Sequence, residues 1–203
     1  MTKRTTPIGL LMLVAAAAAT ALFWSKLTSE RSHAEAAQND GAYVIVARHA
    51  EAPGHGEPDG FDLSDCRTQR NLSDKGREEA HDLGALLRAR RVPITKVLAS
   101  RWCRAHDTAE LMNLGPVELA PAFDNLEFNK RRADELLNDE RKLIASWRGP
   151  GVLLVISHGS NIKALTGIEP DQGGMFVVSQ EHDRLLAKPF DVSSESASRA
   201  ATF

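Results

Sequence analysis

Val44-Ile45-Val46-Ala47-Arg48-His49-Ala50-Glu51 passes from four apolar residues directly into an arginine and a histidine. A strand that is apolar at every position is buried on both faces, which is the situation of a parallel sheet covered by helices. Two further short apolar runs behave alike. Residues 96–99 lead into Ser100-Arg101-Trp102-Cys103-Arg104, and residues 152–156 lead into Ser157-His158-Gly159. With residues 43–47 they predict three buried strands, each ending in polar residues.

Helical periodicity separates these runs. A helix is expected from Ser73 or Asp74 to about Arg91, with Glu78 and Glu79 near its positive end and Arg88, Arg90 and Arg91 near its negative end. Ala80, Leu83, Leu86 and Leu87 form its apolar face. A second helix is expected over residues 102–113. A third is expected over 131–147, with Leu136, Leu137, Ile144 and Trp147 as its core stripe, ended by Gly149-Pro150-Gly151. Residues 175–178 and 184–187 suggest a closing pair of strands. The alternation predicts an α/β fold: three layers, α/β/α, around a mostly parallel central sheet.

Ligands of open α/β sheets bind beyond the carboxyl ends of the strands. Those ends here carry His49, His158, Arg48, Arg101 and Arg104. Like charges converging at one edge call for an anion among them, and arginine forks match phosphate oxygens. Imidazole adds a nucleophile or proton donor that works near neutral pH. A small phosphorylated substrate is the expected partner.

Composition excludes other classes. The 203 residues are 42% hydrophobic and 26% charged, with 25 basic and 27 acidic side chains, so a core forms without staples and no chain-wide positive field attracts nucleic acid. Clusters such as Lys130-Arg131-Arg132 read as solvated helix ends. Lys3 and Arg4 precede an acid-free apolar run over residues 8–24, the form of an export signal or N-terminal membrane anchor. The run is about 17 residues where a span usually needs about 20, so cleavage and anchoring both remain open. The expected organisation is an export segment with polar tether over 1–40, a catalytic domain over 41–192 and a disordered Ser/Ala-rich tail over 193–203. The location implied is periplasmic or otherwise extracytoplasmic.

Four motifs then occur in order: Val44 to Ala50; Leu72-Ser73-Asp74-Lys75-Gly76-Arg77; Ala99-Ser100 with Arg104 and Thr108-Ala109; and Val155-Ile156-Ser157-His158-Gly159. Together they resemble the histidine phosphatase superfamily, the phosphoglycerate-mutase-like proteins, over about residues 42–178. The 65–73 and 161–167 segments are most similar to small exported members, among them enzymes assigned to phosphorylated lipopolysaccharide sugars.

The resemblance implies a metal-independent phosphomonoesterase that needs no cofactor. His49 would attack phosphorus and carry the phosphoryl group, Arg48 and Arg104 would bind its oxygens, and His158 would donate to charge in the transition state. Arg70 and Asn71 are further phosphate or substrate contacts. Two departures stand out. Ala50 replaces the usual glycine and is expected to bring a methyl group close to the phosphate. The proton donor to the leaving oxygen is open among Glu127, Asp124 and Glu51, with Glu127 favoured for position and reach. Cys66 and Cys103, in an exported chain, suggest a disulfide closing a loop of roughly 40 residues; a thiol nucleophile or a zinc site lacks the surrounding residues. A phosphate-binding module without turnover and a phosphotransferase or mutase are the alternative functions.

Overall fold

A computed structural model describes residues 43–181 and 184–190. These lie within the second of two units of the chain, Gly41–Phe203. The expected export segment and the expected disordered tail lie outside the described residues.

Six strands form one sheet: β1 (Tyr43–Arg48), β2 (Ile94–Ala99), β3 (Val117–Leu119), β4 (Val152–Ser157), β5 (Met175–Glu181) and β6 (Arg184–Pro189). Their order is β3-β2-β4-β1-β5-β6. The first four run parallel, while β5 and β6 pair antiparallel at one side. Four helices cover it: α1 (Asp74–Ala89), α2 (Cys103–Met112), α3 (Ala133–Ser146) and α4 (Gly159–Thr166).

The all-apolar strands are buried on both faces, and alternate residues feed two cores. Ile45, Ala47, Val97 and Leu154 pack against Leu87 of α1 and Ala105, Ala109 and Met112 of α2. Val44, Val46, Leu153 and Val155 pack against Ile144 of α3 and Ile162 of α4. The expected three layers follow from this side-chain alternation. The sheet is mostly parallel, as the patterning implies.

Helix ends differ by a residue or two for local reasons. Ser73 caps α1 by accepting from the Gly76 amide at 2.9 Å. The helix stops at Ala89 rather than Arg91, because Arg91 turns the chain with φ of 53°. Trp102 and Asn113 cap α2 rather than belonging to it, and residues 130–132 form a separate 3-10 turn before α3. Leu83 and Leu86 are only partly buried, since α1 meets α2 through Gly84, where a Cβ would stand 2.0 Å from Met112 O. The strand β3 carries no apolar run: Glu118 and Leu119 are exposed at the sheet edge, so sequence patterning misses it.

Cys66 and Cys103 are joined in a disulfide, with Cα atoms 5.7 Å apart and a sequence separation of 37. The bond ties a surface turn to the first residue of α2, beside Arg104. Replacing both cysteines by serine is expected to lower stability by about 2–4 kcal/mol through the longer free loop of the unfolded chain. Because α2 carries Arg104, KM should rise before kcat falls. Denaturant titration with steady-state kinetics checks both; an unchanged midpoint and KM would refute them.

Candidate active site

His49 leaves β1 with its backbone amide donating to Ser157 O at 3.0 Å, and its side chain is 2% exposed. Its Nδ1 stands 2.8 Å from Ala50 O. A carbonyl only accepts, so Nδ1 holds the proton and Nε2 keeps its lone pair. Arg104 Nε donates to that Nε2 at 3.1 Å. Burial first, and then the charges of Arg104, Arg48 and Arg70, hold the imidazole well below its usual pKa; the Ala50 hydrogen bond only partly opposes them. His49 is therefore neutral, with its free nitrogen facing a guanidinium.

His158 follows β4 directly and forms the N-cap of α4. Its ring lies 5.5 Å from that of His49, centroid to centroid. Arg104 Nη2 lies 3.5 Å from its Nδ1, and arginine only donates, which leaves the proton on Nε2 to donate to Ser100 Oγ at 2.8 Å. Burial, then Arg104 and His49, keep this ring neutral as well. Ser100 in turn donates to Asp124 Oδ1 at 3.4 Å.

Arg104 is fully buried and organises the cluster. Burial pulls its pKa down to about 10, with Glu57 opposing. Its Nη1 donates to Glu57 Oε1 at 2.6 Å, and the two side chains are 1% and 2% exposed. Glu57 also accepts from Trp102 Nε1 at 3.2 Å and from the Arg70 amide at 3.1 Å. Sequence reasoning passed over Glu57. It stands in an aperiodic loop between Gly56 and Pro58, and the only signal was the surplus of arginines at the sheet edge.

Arg48 packs over the Cα of Gly159, where a Cβ would meet its Cζ at 3.4 Å. Its Nη1 donates to Pro170 O at 2.8 Å, whereas its buried Nε has no hydrogen-bond partner. Beside it opens a polar cleft of about 490 Å³, lined by Arg48, Arg70, Glu127, Asp171, Gln172 and His55 among others. Arg70 donates to Ala52 O and Gly56 O, at 2.6 and 3.0 Å, which fixes it in the wall. Glu127 is exposed on the opposite loop, and its charge acts on Arg70.

The structure thus gathers His49, His158 and Arg104 in one buried cluster and places Arg48, Arg70 and Glu127 in the lining of the cleft beside Arg48. Asn71 is not among the cleft residues; its Nδ2 donates to Cys66 O at 2.6 Å. Asp124 is 1% exposed and bound by Arg101, whose amide and Nε donate at 3.1 and 2.8 Å. Buried and paired in this way it is not a donor to a leaving group, and Arg101, engaged by it, is not among the cleft residues. Glu51 accepts from Ser73 Oγ at the start of α1 and is likewise engaged. The expected crowding by Ala50 does not occur: its methyl group joins Ala52, Leu72 and Ala80 in a small apolar cluster. Neither α2 nor α4 has a side-chain cap from its N-cap residue, although Gln69 occupies the Cys103 amide at 2.9 Å.

The family model of the histidine phosphatase superfamily, branch 1, matches residues 44–150. Among solved structures, the chain is similar to the alpha-ribazole phosphatase of Shigella flexneri, with 16% identity and a TM-score of 0.53, covering 73% of this chain and 95% of that one. It is also similar to a mycobacterial glucosyl-3-phosphoglycerate phosphatase in complex with VO3, with 15% identity and a TM-score of 0.53, covering 75% and 100%. A mutant phosphoserine phosphatase of Entamoeba histolytica in complex with phosphoserine gives 15% identity and a TM-score of 0.50, covering 74% and 98%. These likenesses concern the fold. No curated protein matches the chain.

Proposed function

The chain belongs to the histidine phosphatase superfamily, branch 1, and from that membership we propose that it is a metal-independent phosphomonoesterase working through a phosphohistidine on His49. The observation that carries this reading is the neutral His49, its Nε2 lone pair turned toward Arg104 and its Nδ1 proton held by Ala50 O. Arg48, Arg70 and Arg104 set three positive charges around it against the single carboxylate of Glu57, a surplus that a phosphate dianion offsets.

The ester phosphate displaces water from the cluster, its oxygens bound by Arg48 and Arg104, with Arg70 toward the mouth. His49 Nε2 attacks phosphorus as the bond to the leaving oxygen breaks, and Glu127 gives that oxygen a proton. His158 donates to the charge spread over the phosphoryl oxygens; the Ser100 hydroxyl can receive from or donate to its Nε2, which lets the ring place a proton on Nδ1. The imidazolium of the intermediate keeps its Nδ1–H on Ala50 O. Water then attacks phosphorus, returns a proton to Glu127, and phosphate leaves with His49 neutral again. No step calls for a metal.

The cleft lining favours a polar leaving group, because Asp171, Gln172 and Glu127 can meet hydroxyl groups. A small phosphorylated sugar or glycoconjugate fits it. The apolar run at 8–24 and the disulfide favour action outside the cytoplasm, with that run either cleaved as an export signal or kept as an anchor in the inner membrane. Among the described residues, no helix is long and apolar enough to cross a membrane.

Release of phosphate from a hexose phosphate in the presence of EDTA is the direct test; loss of activity restored by a divalent ion would overturn it. Glu127→Gln should slow hexose phosphate hydrolysis by about 10²-fold, the low end for general acids, since the side chain is exposed. Nitrophenyl phosphate, whose leaving group needs little help from a proton, should lose far less. Equal losses on both esters would assign Glu127 to binding or folding instead.

A further inference from the structure

The helix α3 buries a carboxylic acid that the proposed reaction does not use. Glu140 is fully buried, four residues after Leu136 and four before Ile144, in the middle of the apolar stripe of the helix. Its Oε2 accepts from Asn161 Nδ2 at 3.2 Å, and its Oε1 is buried with no hydrogen-bond partner. A buried polar group without partners is costly, so its presence in a core stripe asks for a role.

Asn161 supplies the connection. It is fully buried in the first turn of α4, three residues beyond His158. Its Nδ2 also donates to Asp124 O at 3.1 Å, and its Oδ1 accepts from the Leu126 amide at 3.3 Å. Only one orientation of the amide satisfies both backbone groups, and Glu140 takes the remaining Nδ2–H of that orientation. The backbone it fixes carries Asp124, which holds Ser100 and through it His158, and continues directly into Glu127.

We propose that Glu140 is a positioning residue for this site: through Asn161 it fixes the 124–126 backbone, and thereby sets Glu127 against the cleft and Asp124 behind His158. The inference rests on the phosphatase reading given above. Burial pushes the Glu140 acid up to about 8, with Asn161 and Arg141 opposing, so at neutral pH it is the protonated acid that fills this place. The charged groups on neighbouring elements are already engaged. Arg141 reaches Ala164 O on α4, Lys163 of α4 pairs with Glu169, and Asp124 pairs with Arg101.

The test compares Glu140→Gln with Glu140→Leu. Glutamine has the shape of the neutral acid and keeps an oxygen for Asn161, so kcat on a hexose phosphate should be retained. Leucine fills the stripe but offers Asn161 nothing; kcat should fall about tenfold while KM stays within about twofold. Stability gives a second readout that does not depend on turnover. A carboxyl whose pKa is raised in the folded state keeps its full contribution below its unfolded pKa and loses it as pH rises toward about 8. The wild type should therefore lose up to about tenfold in folding equilibrium constant per pH unit over that range relative to the glutamine variant, seen as a widening gap in Tm. A folded leucine variant with wild-type kcat would make Glu140 merely structural, and a gap in Tm that does not change with pH would refute the buried neutral acid. A wild type that hydrolyses no phosphate ester would overturn the functional reading and the catalytic half of this inference, while the gap in Tm would still judge the other half.

Discussion

His49→Ala folds and hydrolyses nothing. The side chain ends a strand, is buried by neighbouring polar groups, and makes two hydrogen bonds, to Ala50 O and from Arg104, so its removal leaves both apolar cores intact. The reaction loses its nucleophile, and kcat should fall on the order of 10⁴-fold or more, the scale expected when a covalent route is removed. The wild-type enzyme quenched during turnover should carry one phosphoryl group that is labile in acid and stable in base, as a phosphoramidate is; the opposite stability would indicate a carboxyl or hydroxyl ester. Retained activity in the alanine variant would dismiss His49 altogether.

The pH dependence is tied to the same group. Because burial and the surrounding arginines lower the pKa of His49 well below 6.5, the acid limb of kcat/KM should lie well below that of an ordinary histidine. Stability follows with a definite sign. His49 and His158 charge in the unfolded chain as pH drops below about 6.5 but remain neutral in the folded one, so the unfolded state takes up more protons and stability declines on the acid side. In His49→Ala one of these groups is gone and the decline should be shallower, a comparison open to denaturant titration at several pH values.

The parts of this protein that the chain announces are those set by local pattern. Val44 to Ala47 and Val152 to Ile156 are apolar without interruption, which only a doubly covered strand tolerates, and the polar residues after them had to meet at one sheet edge. Ser73 announces α1 because a cap acts within one turn. Long-range polar burial is different. Glu57 becomes a core residue only because the loop before Cys66 folds back on Arg104, and nothing in its neighbourhood marks that. Glu140 lies between Leu136 and Ile144 at helical spacing, so a stricter count along the stripe would have exposed it; a carboxylate among leucines reads as an interruption until Asn161 is seen opposite. Asp124 and Glu127 stand three residues apart; position and reach favour Glu127 in the sequence, and the engagement of Asp124 by Arg101 adds a reason that only the structure supplies.

Glu57→Ala should be the most disruptive change outside the histidines, because it strands a cation. Breaking a buried pair by removing one partner costs about 3–5 kcal/mol, and here the Trp102 indole and the Arg70 amide lose their acceptor as well. The phosphate site suffers with the fold. Arg104 Nη1 is held by Glu57 while its Nε meets His49 and its Nη2 meets His158, so a guanidinium freed at one end no longer presents its fork at a set angle. A fall in kcat/KM of about 10²- to 10³-fold is expected, with a rise in KM as a large part of it. Glu57→Gln keeps the acceptor oxygen without the charge and should fall between wild type and alanine in both respects. Added inorganic phosphate discriminates the cause. A site that binds the anion more weakly is stabilised less by it, so the same phosphate concentration should raise the Tm of the alanine variant less than that of the wild type. Equal increments would mean that the carboxylate merely anchors its loop, and a variant with wild-type Tm and KM would show that Arg104 needs no counter-charge to hold its place.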